Sequence, residues 1–297
     1  MNKSRIALAI GVLFISIFPI LIKMHLAPPF VSAFYRMAIA LAVLLPYVLL
    51  TGKLKKTTLK IMLLSMVCGL LFGLDVGVWN LAIQESTATQ ATLLTNLSPI
   101  WVGVGAFFFL KDKPTRNFWI GTVIAIFGMV LLVGARTFLN LDFNIAFCFA
   151  VLSGMLYATY MLLSKSILND IDVWNFMTLS LLSSTVSLAV LSWAVGDSFG
   201  GYSSMGWFIL VVQGLVCQLA AWLLISYATK HMRATRVSVS LLGQAVLASI
   251  FAALFINETI SMQMVIGGIF LLLGIRVTFI QKQIGVKSQS KKKGLCH

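Results

Sequence analysis

Long apolar runs separated by short polar breaks dominate this chain. About 20 mostly apolar residues suffice to cross a bilayer as a helix. Ten such stretches can be laid down, at residues 5–24, 30–51, 58–82, 87–110, 115–135, 143–165, 173–195, 204–228, 233–256 and 259–281. The breaks carry turn and charge signals: "APP" (27–29), "TGKLKK" (51–56), "KDKPTR" (111–116), "LND" (168–170), "GDSFGG" (196–201) and "NET" (257–259). The pattern predicts an all-α polytopic membrane protein with ten transmembrane helices. One stretch departs from it. Residues 87–99, "TATQATLLTNLSP", hold four threonines, a glutamine, an asparagine, a serine and a proline between strongly apolar flanks. On a 3.6-residue period Thr89, Thr92, Asn96, Pro99 and Gly103 share one face, while Thr95 and Ser98 point elsewhere and can bond back to their own helix. The stripe either lines a wet cavity, with Pro99 loosening the helix beside it, or glues the helix to its neighbours.

Composition agrees with a membrane class. Of the 297 residues 60% are apolar and 10% charged, against about 25% charged in ordinary soluble domains. The net charge of +14 does not mark a nucleic-acid binder, because the bases are spread over short loops and ends with no basic domain. Their distribution sets orientation instead. With the N-terminus cytoplasmic, 19 of the 22 Lys and Arg residues fall inside, only Lys23 and Arg136 fall outside, and Arg36 lies within a span. Both termini are therefore expected in the cytoplasm, with residues 282–297 as a basic tail near anionic lipid. "MNKSR" and the run after it read as a retained first helix, since no A-x-A-like cleavage site follows. Cys68, Cys148 and Cys217 sit in apolar runs and are expected to be small core residues; with Cys296 they form no CxxC pair.

The chain also repeats itself. Shifted by 146 residues, Ala82 falls on Ala228, Ala88 on Ala234, Ala106 on Ala252, Phe109 on Phe255, Asp112 on Glu258, Gly121 on Gly267 and Gly128 on Gly274, without a gap. Each half then holds five helices, residues 1–137 and 138–281. Five is odd, so the second half must insert upside down. Two inverted five-helix repeats around a central cavity are a transporter design, in which the halves rock about a site near the midplane.

The pattern "LAIQESTATQATLLTNLSPIWVGVGAFFFLKD…GTVIAIFGMVLLV" resembles the EamA family of the drug/metabolite transporter superfamily, and so does "YATKHMRATRVSVSLLGQAVLASIFAALFINE…GGIFLLLGIRV". The matching positions are Ala82, Ala88, Pro99, Asp112, Gly121, Gly128, Ala228, Ala234, Glu258, Gly267 and Gly274, and "AFYRMAIA" (33–40) is similar to the family's second-helix arginine pattern. The first helix reads "VLFISIFP" where many members carry a Trp-Gly pair, and Ala245 stands where the second copy usually has proline. The resemblance implies ten helices, a central cavity and movement of small polar metabolites such as amino acids.

Candidate site residues follow from chemistry out of place. Asp75 is the acidic residue deep in a span, where a charge costs about 2.5–3.5 kcal/mol on insertion scales. Arg36 lies at the same depth, roughly 10 Å below the outer surface at 1.5 Å per residue. The two are expected to pair or to share a substrate's charged groups; otherwise Arg36 snorkels and Asp75 is merely hydrogen-bonded. Trp79 shares a face with Asp75, and Asn80 follows it. Tyr157 with Tyr160, and Gln218 with Trp222, form polar–aromatic pairs suited to an amphipathic metabolite, although the tryptophans also fit ordinary packing. Ser238, Leu242, Ala245 and Ser249 are the less polar counterparts of the Thr89–Thr92–Asn96 stripe. Structural roles are expected of Pro99, of Asp112 and Glu258 at the turns after the fourth and ninth helices, and of Gly121, Gly128, Gly267 and Gly274 in close helix packing.

An enzyme is not expected. HExxH and GxSxG are absent, "FGLD" (72–75) lacks a second intramembrane aspartate, and His25, His231 and His297 make no metal set. No cofactor or metal is implied. The sequence reads as a secondary carrier of the plasma membrane, exporting a small polar or amphipathic, amino-acid-like metabolite by alternating access, as a monomer or weak dimer. A channel or lipid flippase is the alternative.

Overall fold

A computed structural model describes residues 3–24, 26–85, 94–134, 145–256 and 259–280. All regular structure among them is helical. We number the spans α1 to α10. They are α1 (Lys3–Ile15, then Phe18–Lys23), α2 (Pro29–Leu50), α3 (Leu59–Glu85), α4 (Ser98–Phe109), α5 (Arg116–Val133), α6 (Ile145–Ile167) and α7 (Val173–Val195). Then come α8 (Ser204–Val212, a π-helical Gln213–Ala220 and Ala221–His231), α9 (Ala234–Leu241, then Gly243–Ile256) and α10 (Met262–Phe279). Nine of these are long and apolar enough to cross a membrane, and the shorter α4 is also apolar. The chain is a multi-pass membrane protein.

Polar residues at the breaks start the helices. Thr115 accepts from Phe118 N at 3.2 Å, Asp172 from Asn175 N at 3.0 Å, Ser203 from Gly206 N at 3.1 Å and Ser261 from Met264 N at 3.2 Å. Each satisfies an amide that the first helical turn leaves unpaired. The cap of α5 is thus Thr115, three residues after Asp112, which leaves Asp112 the turn itself as its place. Ser261 stands 146 residues after Thr115, so the cap itself repeats. Glu258, Asn257 and the tail lie outside the described residues. Cys148 is exposed rather than part of the core, whereas Cys68 and Cys217 are buried.

Small residues bring helices into backbone contact. A Cβ on Gly128 would lie 2.3 Å from Leu271 N and 2.6 Å from Gly267 O, and one on Gly121 would lie 2.6 Å from Gly274 O. The reverse contacts match: Gly267 faces Gly128 O at 2.7 Å and Gly274 faces Gly121 O at 2.6 Å. Helices α5 and α10 therefore run antiparallel, with backbones touching where only glycine fits. The contacts are also reciprocal under the 146-residue shift. A second tight seam joins α3 to α7, where a Cβ on Gly69 would fall 2.1 Å from Ser180 O and Ser184 Oγ donates to Gly69 O at 2.6 Å.

The spans expected to be continuous are interrupted in three places. Helix α1 breaks at Ser16–Ile17, just before Phe18 and Pro19. The chain turns at Asn96–Leu97 before Pro99 starts α4. Helix α9 breaks at Leu242, before Gly243, with no proline nearby. Shifted by 146 residues, Asn96 falls on Leu242, so the two copies break at the same point. All three breaks border one cavity.

Candidate functional site

A cavity of about 370 Å³ is lined by residues of α1 to α6 and α8 to α10, most of them on α1, α3 and α9, a volume within the usual small-molecule range. Its lining runs from Tyr157, Trp222 and Ser238 to Ile22, Val133, Ala252 and Met264, at the helix ends opposite the N-terminal Lys3. Toward the N-terminal face the helices close by side-chain-to-backbone bonds. Lys165 Nζ donates to Lys230 O at 2.9 Å, Lys230 Nζ to Ile171 O at 2.7 Å and Arg236 Nε to Thr278 O at 3.2 Å. These bonds close the N-terminal side of the cavity.

Two opposite charges are set into its wall. Asp75, 6% exposed, accepts a hydrogen bond from Ser153 Oγ at 2.6 Å. Arg36, 3% exposed, donates from Nε to Gln218 Oε1 at 2.8 Å, and its guanidinium lies 4.1 Å from the centre of the Phe18 ring. The break in α1 turns that ring beneath Arg36 and within 5.9 Å of the Trp79 ring. The expected Arg36–Asp75 ion pair is not made: each charge is held by a neutral partner, and both face the shared cavity. Burying a charge is expensive, and these two opposite charges border the same cavity without touching each other.

Aromatic rings complete the wall. Phe72 packs against Trp222 at 4.6 Å and Tyr160 at 4.9 Å, and Tyr157 lies 6.4 Å from Trp222. The Trp222 Nε1 is buried without a hydrogen-bond partner among the described residues. An unmet buried donor costs about 1–3 kcal/mol.

Arg36, Asp75, Trp79, Asn96, Tyr157, Trp222 and Ser238 come together around this cavity, and so do Leu242, Ala245 and Ser249. Others do not. Tyr160 sits behind the wall, against Phe72 and Trp222. Gln218 lies behind Arg36 and holds it. Asn80 donates to Pro29 O at 2.7 Å and borders a separate cavity with Ser32 and Gln213. Thr89 and Thr92 lie outside the described residues. The expected stripe does not run through, because the break at Asn96–Leu97 resets the helical phase. Thr95 and Ser98, expected to point elsewhere, both line the cavity, and Thr95 Oγ1 donates across to Ala150 O on α6 at 3.3 Å rather than to its own helix. Gly103, assigned to the stripe, instead meets the Phe118 ring on α5. Sequence reasoning missed Ser153, Gln213 and Gln244. A helix serine or glutamine carries no signal of its own; Ser153 becomes legible only once Asp75 is known to need a donor.

Comparisons with known proteins agree with this architecture. The model of the EamA-like transporter family matches residues 3–134 and 144–280. An uncharacterised transporter of Archaeoglobus fulgidus is 25% identical over 290 residues, covering 93% of this chain and 97% of its own. An S-adenosylmethionine uptake transporter of Rickettsia felis is 26% identical over 175 residues, covering 57% of this chain and 58% of its own. A protein of known crystal structure superimposes with a TM-score of 0.79 at 16% identity, over 93% of this chain and 96% of that one, which establishes a shared fold. With both matched segments spanning the helices that build the cavity, the chain belongs to the EamA-like transporter family.

Proposed function

We propose that this protein is a secondary carrier that moves a small amphipathic metabolite, bearing both a cationic and an anionic group, by alternating access. The observation that carries this reading is the pair Arg36 and Asp75. They border one cavity and are held by neutral partners instead of each other. An amino-acid-like ligand answers both charges at once, and aromatic walls suit its apolar part and its cation. Discontinuous helices around a midplane site are the usual build of such carriers. The crosswise glycine contacts of α5 and α10 support two inverted halves, residues 1–137 and 138–281, that rock about the cavity.

The skew of basic residues supports a plasma-membrane orientation with both termini cytoplasmic. The cavity then faces the outside. We take the direction to be export and the protein to act as a monomer or weak dimer, without cofactor or nucleic acid. The Rickettsia felis relative is named for uptake, so the test reads both directions. A panel of amino acids and S-adenosylmethionine is first screened by thermal shift on the purified protein, since ligand binding stabilises by mass action. Hits are then assayed in proteoliposomes for saturable flux and counterflow. Arg36→Gln, Asp75→Asn and the double variant are expected to lose most transport. Full activity in all three sinks the reading.

A further inference from the structure

The π-helical turn of α8 and the second span form a clasp. Ser32 Oγ donates to Gln213 Oε1 at 2.9 Å, and one turn further on Arg36 Nε donates to Gln218 Oε1 at 2.8 Å. All four side chains are buried, with exposures of 4% or less. Ser32 and Arg36 are four residues apart and share a face of an α-helix. Gln213 and Gln218 are five apart. On an α-helix, at about 100° per residue, they would diverge by about 140°. The i→i+5 closure of a π turn brings such positions back to one side, and such turns concentrate at functional sites. The bulge in Gln213–Ala220 is thus the backbone feature that points both glutamines at α2. Gly214 permits the approach, because a Cβ there would lie 2.7 Å from Ile39 Cβ. Shifted back by 146 residues, Gln218 falls on Phe72, within the unbroken α-helix α3. The clasp therefore belongs to one half alone.

We propose that Gln218 is a positioning residue, holding Arg36 by its Nε so that the two terminal amino groups meet a carboxylate of the cargo. This rests on the carrier reading above. Those amino groups have no hydrogen-bond partner among the described residues, and Arg36 borders the cavity. A guanidinium end offers two parallel donors that match a carboxylate. A neutral amide fixes its orientation without cancelling its charge. A glutamate at the same place would occupy the Nε and neutralise the group as well. Phe18 limits the guanidinium from the other side, so rotation away from the cavity is blocked twice.

The test uses the full chain in detergent and the fluorescence of Trp79 and Trp222, both in the cavity wall. The probes are matched pairs, L-phenylalanine with L-phenylalaninamide and L-methionine with L-methioninamide, which differ in the carboxylate. Wild type is expected to bind the acids at least about tenfold more tightly than the amides, the scale of a charge-assisted bond. Gln218→Leu should lower that ratio severalfold with amide affinity unchanged. Gln218→Glu should bring it to about one or below. Melting temperatures identify variants that fold, and Gln218→Asn serves if Gln218→Leu does not. If folded variants keep the wild-type ratio, the positioning role falls while the carrier reading stands. If wild type binds neither member of either pair, both fall.

Discussion

At the residue scale the site is two charges, each tied to a neutral neighbour, and one donor without a partner among the described residues. The charges were legible in the sequence, because Asp75 and Arg36 interrupt apolar runs where an ionised group needs a reason. Their partners were not. Ser153 is one of several buried serines in the spans, with Ser164, Ser184 and Ser192, and serines bond to their own helix as readily as to a neighbour. Nor does a sequence tell whether two opposite charges at one depth face each other or a common space. The untied donor, Trp222 Nε1, was legible only as a tryptophan. Its ring packs on Phe72 and Tyr160, so Trp222→Phe keeps most of that contact and removes the unmet N–H. We expect the variant to melt at or above the wild-type temperature and to bind its ligand about three- to tenfold more weakly, the worth of one hydrogen bond. Scanning calorimetry with a titration reads both. A variant that loses stability and keeps affinity would make Trp222 a packing residue alone.

At the scale of elements, the positions of the helices were readable and their interruptions were not. Apolar length and turn residues placed ten segments close to where the described helices run, because the bilayer demands satisfied backbone and a fixed length. A periodicity count assumes one unbroken helix, and that assumption failed at the polar stretch. The turn at Asn96–Leu97 resets the phase, which is why Thr95 and Ser98 reach the cavity and Gly103 does not. Proline alone does not mark such breaks, since α9 breaks at Leu242 with Gly243 after it and Ala245 where α4 has Pro99. Pro99 lacks the N–H that would continue the helix past Thr95, and its ring would clash with the preceding turn. In Pro99→Ala the helix can close through Asn96–Leu97. The expected outcome is a higher melting temperature with slower turnover in proteoliposomes and little change in the binding constant. Wild-type turnover in a stabilised variant would show that the break does not serve movement.

At the scale of the whole molecule, the repeat visible in the sequence has its physical counterpart where α5 meets α10. Gly121 opposes Gly274 and Gly128 opposes Gly267, so each glycine meets the copy of the other. The contact reads the same after exchanging the two sequence copies, and the two helices run antiparallel. The sequence marked these four glycines by their recurrence; it could not say that they touch one another, since a shift comparison finds equivalence and not contact. The seam permits a sharp contrast between neighbours. A Cβ on Gly267 would fall 2.4 Å from Leu132 N, a backbone atom that cannot step aside, whereas the nearest atoms to a Cβ on Gly268 would be side-chain carbons of Val246, at 3.6 Å, and Leu132, at 3.9 Å. The first is overpacking against rigid backbone, costing about 1–3 kcal/mol. The second is an ordinary contact, and alanine in place of glycine also favours the helix by up to about 1 kcal/mol. Thermal denaturation of the purified variants should therefore separate them: Gly267→Ala melts several degrees below wild type, and Gly268→Ala at or above it. Gly121→Ala, the counterpart of Gly267→Ala in the other half, should fall by a similar amount, because its Cβ would meet Gly274 O at 2.6 Å. Equal melting temperatures for Gly267→Ala and Gly268→Ala would mean that α5 and α10 can slide apart, and the proposal that two halves rock against this seam would lose its fixed axis.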